Sequence, residues 1–185
     1  GFKNGGAVTV DLNNDGNQDI VAGGYANQVQ NSAEEELTSK RTTYSMLFLP
    51  ATNKWNNPAK VPFMVANAPS IIPCDIDNDG KMDIIAFENN TETDALFSQE
   101  GIFLGNGKGN FTAPTISFTD KDGNAIAFNL RGPCSADIID VDNDGRLDIV
   151  CAGHLNEENY NVVLHNRSTS PEALTFCVEP FEERS

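Results

Sequence analysis

Short apolar stretches recur along this chain in groups of four, separated by Gly, Asn, Asp and Pro. The first stretch of each group covers residues 7–10, 71–74 and 136–139, and the second covers 20–22, 84–86 and 149–151. A third follows at 44–49, 101–104 and 160–164, and a fourth, beyond a turn, at 60–63, 111–115 and 174–178. Runs this short, rich in β-branched and aromatic residues and bounded by turn formers, predict strands. The 3.6-residue period of an amphipathic helix is almost absent. The one helical signal is Ser32-Ala33-Glu34-Glu35-Glu36-Leu37, where Ser32 and Glu35 fit a capping box and the acids fit a solvated face.

Between the first and second stretches lies a polar loop, and the three loops align without gaps: DLNNDGNQDIV from Asp11, DIDNDGKMDII from Asp75 and DVDNDGRLDIV from Asp140. Their starts are 64 and 65 residues apart. A near-constant period marks an internal repeat. Four short strands per repeat predict an all-β fold of β-propeller blades. The expectation is one segment over 1–185 with three four-stranded antiparallel blades at about 1–65, 66–131 and 132–185. Small residues at Gly6-Ala7, Ser70 and Ser135-Ala136 suit the crowded propeller axis. A β-helix uses shorter coils, and a sandwich does not explain loops repeating in register. Propellers typically have four to eight blades. The pattern therefore predicts either further blades in a longer chain or a homodimer closing a six-bladed ring.

The loop pattern points to calcium, which takes six to eight hard oxygen ligands. Alternating carboxylates direct oxygens at one point, and Gly at position six permits the turn back. The expected ligands are Asp11, Asn13, Asp15, Asn17 and Asp19 in loop 1; Asp75, Asp77, Asp79, Lys81 and Asp83 in loop 2; and Asp140, Asp142, Asp144, Arg146 and Asp148 in loop 3. Asn17, Lys81 and Arg146 would serve through their backbone carbonyls, with the Lys81 and Arg146 side chains turned outward. Position nine would close each of the three Ca2+ sites. An EF-hand is excluded, because position twelve is Ala22, Ala86 or Cys151 instead of Glu, and a β-run follows at once. Asn13 carries one charge fewer than Asp77 or Asp142, which predicts weaker binding in loop 1. Asp120-Lys121-Asp122-Gly123-Asn124 is a look-alike with Phe118 at the first ligand position, and it predicts a hairpin turn between residues 116–118 and 125–128.

Charge sharpens this picture. The chain has 27 acidic and 12 basic residues, net −15. With no basic stripe, a nucleic-acid partner is excluded. With no apolar run near ~20 residues, membrane insertion as a helix is excluded too. Eleven of the acids lie in the three loops, so much of the acidity belongs to metal binding.

The three loops, with Phe103-Leu104-Gly105-Asn106-Gly107-Lys108-Gly109-Asn110-Phe111 after the second, resemble the FG-GAP/VCBS repeat family. Integrin α propellers and many secreted or surface proteins of bacteria belong to that family. The resemblance covers nearly the whole chain. It implies four-stranded blades, calcium between strands one and two, and ligands bound on the face opposite the calcium loops. It also implies a secreted, periplasmic or cell-surface location, a protein or glycan partner, and roles such as cell adhesion or carbohydrate binding.

Residues placed on that opposite face are Tyr25, Asn89, Arg131, His154 and Asn156. His154 occupies the strand 2–3 loop, where the earlier repeats have Tyr25 and Asn89, and Arg131 lies in the connection between blades. No Gly-x-Ser-x-Gly elbow, phosphate loop or H-E-x-x-H is present, so no catalytic residue is assigned. Two alternatives stand beside recognition: a calcium-dependent polysaccharide-degrading enzyme or its accessory domain, and a structural spacer. Trp55 reads as a hairpin packing residue. Cys74, Cys134, Cys151 and Cys177 do not repeat and form no C-x-x-C, which argues against zinc or redox roles for them and for buried thiols.

Overall fold

The computed structural model describes residues 2–3, 7–26, 40–46, 48–49, 52–55, 59–60, 70–87, 101–128, 131–155 and 158–181. Every regular element among them is a strand. The capping-box segment 32–37 lies outside the described residues. No helix among them is long and apolar enough to cross a membrane.

Three sheets follow the three repeats. The first holds β1 (Phe2–Lys3), β2 (Ala7–Val10), β3 (Asp19–Ala26), β4 (Lys40–Met46) and β7 (Ala59–Lys60), with β5 (Phe48–Leu49) and β6 (Lys54–Trp55) forming a separate hairpin. Trp55 is cross-strand partner to Phe48, their rings edge-on at 5.4 Å, as expected of a packing residue. The second sheet is β8 (Ser70–Cys74), β9 (Asp83–Phe87), β10 (Ile102–Gly105) and β11 (Phe111–Thr112). The third orders β12 (Thr115–Thr119), β16 (Ala173–Pro180), β15 (Glu158–Asn166), β14 (Asp148–Leu155) and β13 (Arg131–Ile139).

Only the middle sheet has the expected four strands; the outer two have five. In the first, β1 joins β3 beyond the end of β2. In the third, β12 runs parallel to β16, from Thr115 beside Ala173 to Thr119 beside Cys177. The sequence placed residues 111–115 in one strand. Pro114 has no N–H to donate, so β11 stops at Thr112 and the chain passes to the neighbouring sheet. There β12 covers an edge that would otherwise present unpaired backbone groups, and Ser117 Oγ meets Thr175 Oγ1 at 2.9 Å. The look-alike after β12 is a turn: Gly123 N–H donates to the Asp120 carbonyl, and Thr119 bridges Ala125.

The sheets pack face to face around two apolar clusters. Val21 and Leu12 of the first repeat meet Ile71, Ile84 and Phe103 of the second. Ile85, Ile102 and Leu104 turn the other way and meet Ile149, Val162 and Leu164 of the third. Side chains alternate across a strand. The run Ile84-Ile85 therefore serves both neighbours, and both residues are completely buried. Cys74 packs in the second cluster, and burial, followed by the nearby Asp83, Asp75 and Asp77, pushes its thiol up to about 12.

Candidate metal centres

The loops join β2 to β3, β8 to β9 and β13 to β14 at one end of each sheet. Position four is Asn in all three, and Asn14, Asn78 and Asn143 adopt left-handed backbone with φ of 58°, 62° and 59°. Position six is Gly16, Gly80 and Gly145, with φ of 86°, 82° and 87°. Asn and Gly tolerate this region best, so the pattern N-x-G winds the loop tightly.

The winding turns backbone N–H groups onto the carboxylates. At position one, Asp11, Asp75 and Asp140 each accept from the N–H groups of positions five and six at 2.8–3.1 Å. At position three, Asn13, Asp77 and Asp142 accept from position five. At position five, Asp15, Asp79 and Asp144 accept the N–H of position seven at 2.9 Å.

Position nine is the floor of each loop. Asp19, Asp83 and Asp148 are completely buried. Their Oδ2 atoms accept from Leu12, Ile76 and Val141 N–H at 2.9–3.0 Å. Their Oδ1 atoms accept from Phe48, Gly105 and Asn166 N–H, at or just beyond the third strand. One side chain thus ties the loop to the sheet. The tie needs close approach: a Cβ on Gly105 would lie 2.0 Å from the Met82 carbonyl oxygen.

Oxygens of Asp75, Asp77 and Asp83 lie within 4.8 Å of one another, and so do those of Asp140, Asp142 and Asp144. Burial pushes the Asp83 carboxyl up to about 7, against the two N–H groups that favour its charge. Asp77 is raised as well, chiefly by burial. Asp15 is lowered, first by the Asn17 side-chain amide. Asp142 is lowered by Arg167.

The expectation that the Lys81 and Arg146 side chains turn outward is corrected. Lys81 Nζ folds onto Asp79 Oδ2, and Arg146 Nη2 onto Asp144 Oδ2. A surplus of carboxylates draws in the nearest cations. Arg167, which the repeat comparison did not single out, grips Asp142 and Asp144 with two nitrogens at 2.6 Å each. It lies in the β15–β16 connection, and only the fold brings it 23 residues back to loop 3.

Two further groups were missed. Asn166 is buried and donates to the Ile76 and Leu147 carbonyls, stitching loop 2 to loop 3. The position-four asparagines do the same on the surface: Asn14 donates to Gly80 O at 3.4 Å and Asn78 to Gly145 O at 2.8 Å. The signal for the latter was present, because Asn occupies that position in all three loops.

At the opposite sheet ends, Arg131 opens β13 and is the register partner of His154 in β14. Both lie within strands, which corrects their assignment to an inter-blade connection and a strand 2–3 loop; β13 and β14 run longer than their apolar cores suggested. Tyr25 lies in β3, between Lys3 and Arg41 in register. The backbone thus places Tyr25 in one sheet and the Arg131–His154 pair in another. Asn89 and Asn156 lie outside the described residues.

Stacked β sheets of repeated order, each with an acidic loop between its first two core strands, define a β-propeller-like repeat module. A sequence model of the FG-GAP-like repeat matches residues 11–86 and 75–151, more than half of the chain, and the chain belongs to that family. FG-GAP repeats are typically binding or structural modules and typically extracellular or at the cell surface. Searches of curated proteins and of solved structures found no match.

Proposed function

We propose that this chain is a calcium-stabilised β-propeller segment that recognises a protein or glycan ligand outside the cytoplasm. The observation that carries the calcium reading is loop 2. Three carboxylates converge there, one of them fully buried, and burial, with the neighbouring Asp77 and Asp75 adding to it, raises that carboxyl to about 7. A buried acid cluster is costly unless a cation pairs with it, and hard oxygens at a tight turn suit Ca2+. Asp75, Asp77, Asp79 and Asp83 would hold the ion, with the Lys81 carbonyl. Loops 1 and 3 share the scaffold. Loop 1, with Asn13 in place of a carboxylate, is the weaker site in this reading, and in loop 3 Arg146 and Arg167 compete with the ion for Asp142 and Asp144. Calcium would fix the loops that join the sheets, leaving the opposite ends, with Tyr25, Arg131 and His154, to meet the ligand.

Thermal melts with EDTA and with millimolar Ca2+ test the first half. An ion that binds only the folded loops stabilises by RT ln(1+[L]/Kd), about 2.7 kcal/mol per site at a hundredfold excess over Kd. Calcium should raise the Tm more than Mg2+ does, and identical curves in EDTA and Ca2+ would sink the reading. For the second half, a glycan array and a pull-down from surface extracts should lose their signal in Arg131→Ala and His154→Ala at unchanged Tm.

A further inference from the structure

We propose that the outer faces of the first and third sheets are the two halves of one interface, at which a second copy of this chain docks head to tail, so that two copies close a ring of six sheets. The contact depends neither on calcium nor on ligand binding.

Each repeat has two faces, because side chains alternate across its strands. In repeat 1 the forward face is Val10, Leu12 and Val21, which pack on Ile71, Ile84 and Ala86, the backward face of repeat 2. In repeat 2 the same pattern positions, Cys74, Ile76 and Ile85, form the forward face and pack on Ala136, Ile149 and Cys151, the backward face of repeat 3. Two faces are left over. The forward face of repeat 3 is Ile139, Val141 and Val150; the first two are exposed and the third is half-buried. The backward face of repeat 1 is Ala7, Ile20 and Ala22; the first is exposed and the others are half-buried. Thr9, across from Ile20 in register, is exposed as well.

A second, independent feature has the same polarity. Asn14 of loop 1 donates to the Gly80 carbonyl of loop 2, and Asn78 of loop 2 donates to the Gly145 carbonyl of loop 3. Each bond runs from position four of one loop to position six of the next. The ladder leaves over Asn143, at position four of loop 3, and the carbonyl of Gly16, at position six of loop 1; neither has a partner among the described residues. Loop 3 is wound like the other two, with Asn143 at φ of 59°. The unused donor thus belongs to the repeat with the uncovered forward face, and the unused acceptor to the repeat with the uncovered backward face. The third sheet of one copy therefore matches the first sheet of another in apolar contact and in hydrogen bonding. Exposed apolar side chains mark interaction surfaces, and this chain carries the complementary half itself. A head-to-tail contact gives a ring where the rotation closes. Six sheets lie within the four to eight of β-propellers, so two copies satisfy both ends.

The test uses the 185-residue chain at micromolar concentration in millimolar Ca2+, with its mass read by light scattering after size exclusion. The expected result is a discrete species of twice the 20.0 kDa chain mass. Ile139→Lys with Val141→Lys removes the forward half of the contact, and Ala7→Lys with Thr9→Lys removes the backward half. Each double variant alone should be a monomer with the β-sheet circular dichroism of the parent. Mixed in equal amounts, the two should pair, because the first keeps an intact backward face and the second an intact forward face. That pair should be weaker than the parent dimer, since one of its two contacts is lost. Asn143→Gly, which keeps the backbone, should weaken the parent dimer severalfold. If a double variant loses its β-sheet signal, Val141→Lys and Thr9→Lys singly make the same comparison. A monomeric parent chain would overturn the proposal. So would a dimer that persists in Ala7→Lys with Thr9→Lys, since two forward faces would then be meeting each other. A series of ever larger oligomers in the parent chain would overturn closure by two copies.

Discussion

Asn78 shows what a single residue contributes to these loops. It holds φ of 62° and donates to the Gly145 carbonyl of the next loop. Left-handed backbone costs most L-residues about 1–2 kcal/mol. Asn78→Ala should therefore lower stability by about 1–2 kcal/mol, whereas Asn78→Gly, which keeps the backbone and loses only an exposed hydrogen bond, should cost about 1 kcal/mol or less. Urea midpoints compare them, and equal losses would mean that the bond matters and the backbone does not. Asp83 makes a prediction in pH. Its carboxyl is raised from 3.8 to about 7, so the folded state holds the proton longer than the unfolded one. The resulting stability is fully present below about pH 4 and is lost as pH rises through about 7. Without metal, the Tm contribution of this group should fall between about pH 4 and 7 and level off above. With saturating Ca2+, which pairs with the ionised form, the profile should flatten. Parallel slopes in EDTA and Ca2+ would argue against metal at Asp83. The acidic spacing was legible along the chain. The partners Arg167 and Asn166 were not, because each reaches its loop from a later strand or connection.

At the scale of the element, β9 is the informative strand. Ile84 faces the first sheet and Ile85 the third, and both are completely buried. Each truncation to Ala should cost about 2–5 kcal/mol, the range for large-to-small changes in a packed core. Ile139→Ala, at a side chain 53% exposed, should stay within about 0.5 kcal/mol. Comparable losses at all three sites would mean that the stacking order is wrong. The apolar run at 84–86 was readable as a strand, but its lack of alternation made sense only once both faces were covered. β12 marks the opposite limit. Residues 115–119 look strand-like, yet nothing local says that they pair in parallel with a strand nearly sixty residues later.

For the whole molecule, the outer face of the third sheet sets the expectation. Ile139 and Val141 are 53% and 42% exposed. Their repeat-2 equivalents, Cys74 and Ile76, are 7% and 1% exposed because another sheet covers them. The same positions on the outer sheet leave apolar side chains exposed, and a further sheet is the expected cover. The 185-residue chain alone should therefore self-associate at micromolar concentration, and Ile139→Lys with Val141→Lys should return it to a monomer at unchanged Tm. Light scattering reads both. A stable monomer of the unaltered chain at those concentrations would mean that the face needs no partner.

The amino-acid sequence by itself determined the repeat, the β character, the positions of the loops and their oxygen-rich chemistry. These are local properties, written in periodicity, turn residues and spacing within a dozen residues. Tertiary structure alone decided which strand closes which sheet, which carboxylate is buried, and which cations sit on the acids. Those outcomes depend on strands distant in the chain coming to lie a few ångströms apart, and burial and charge pairing exist only after they do.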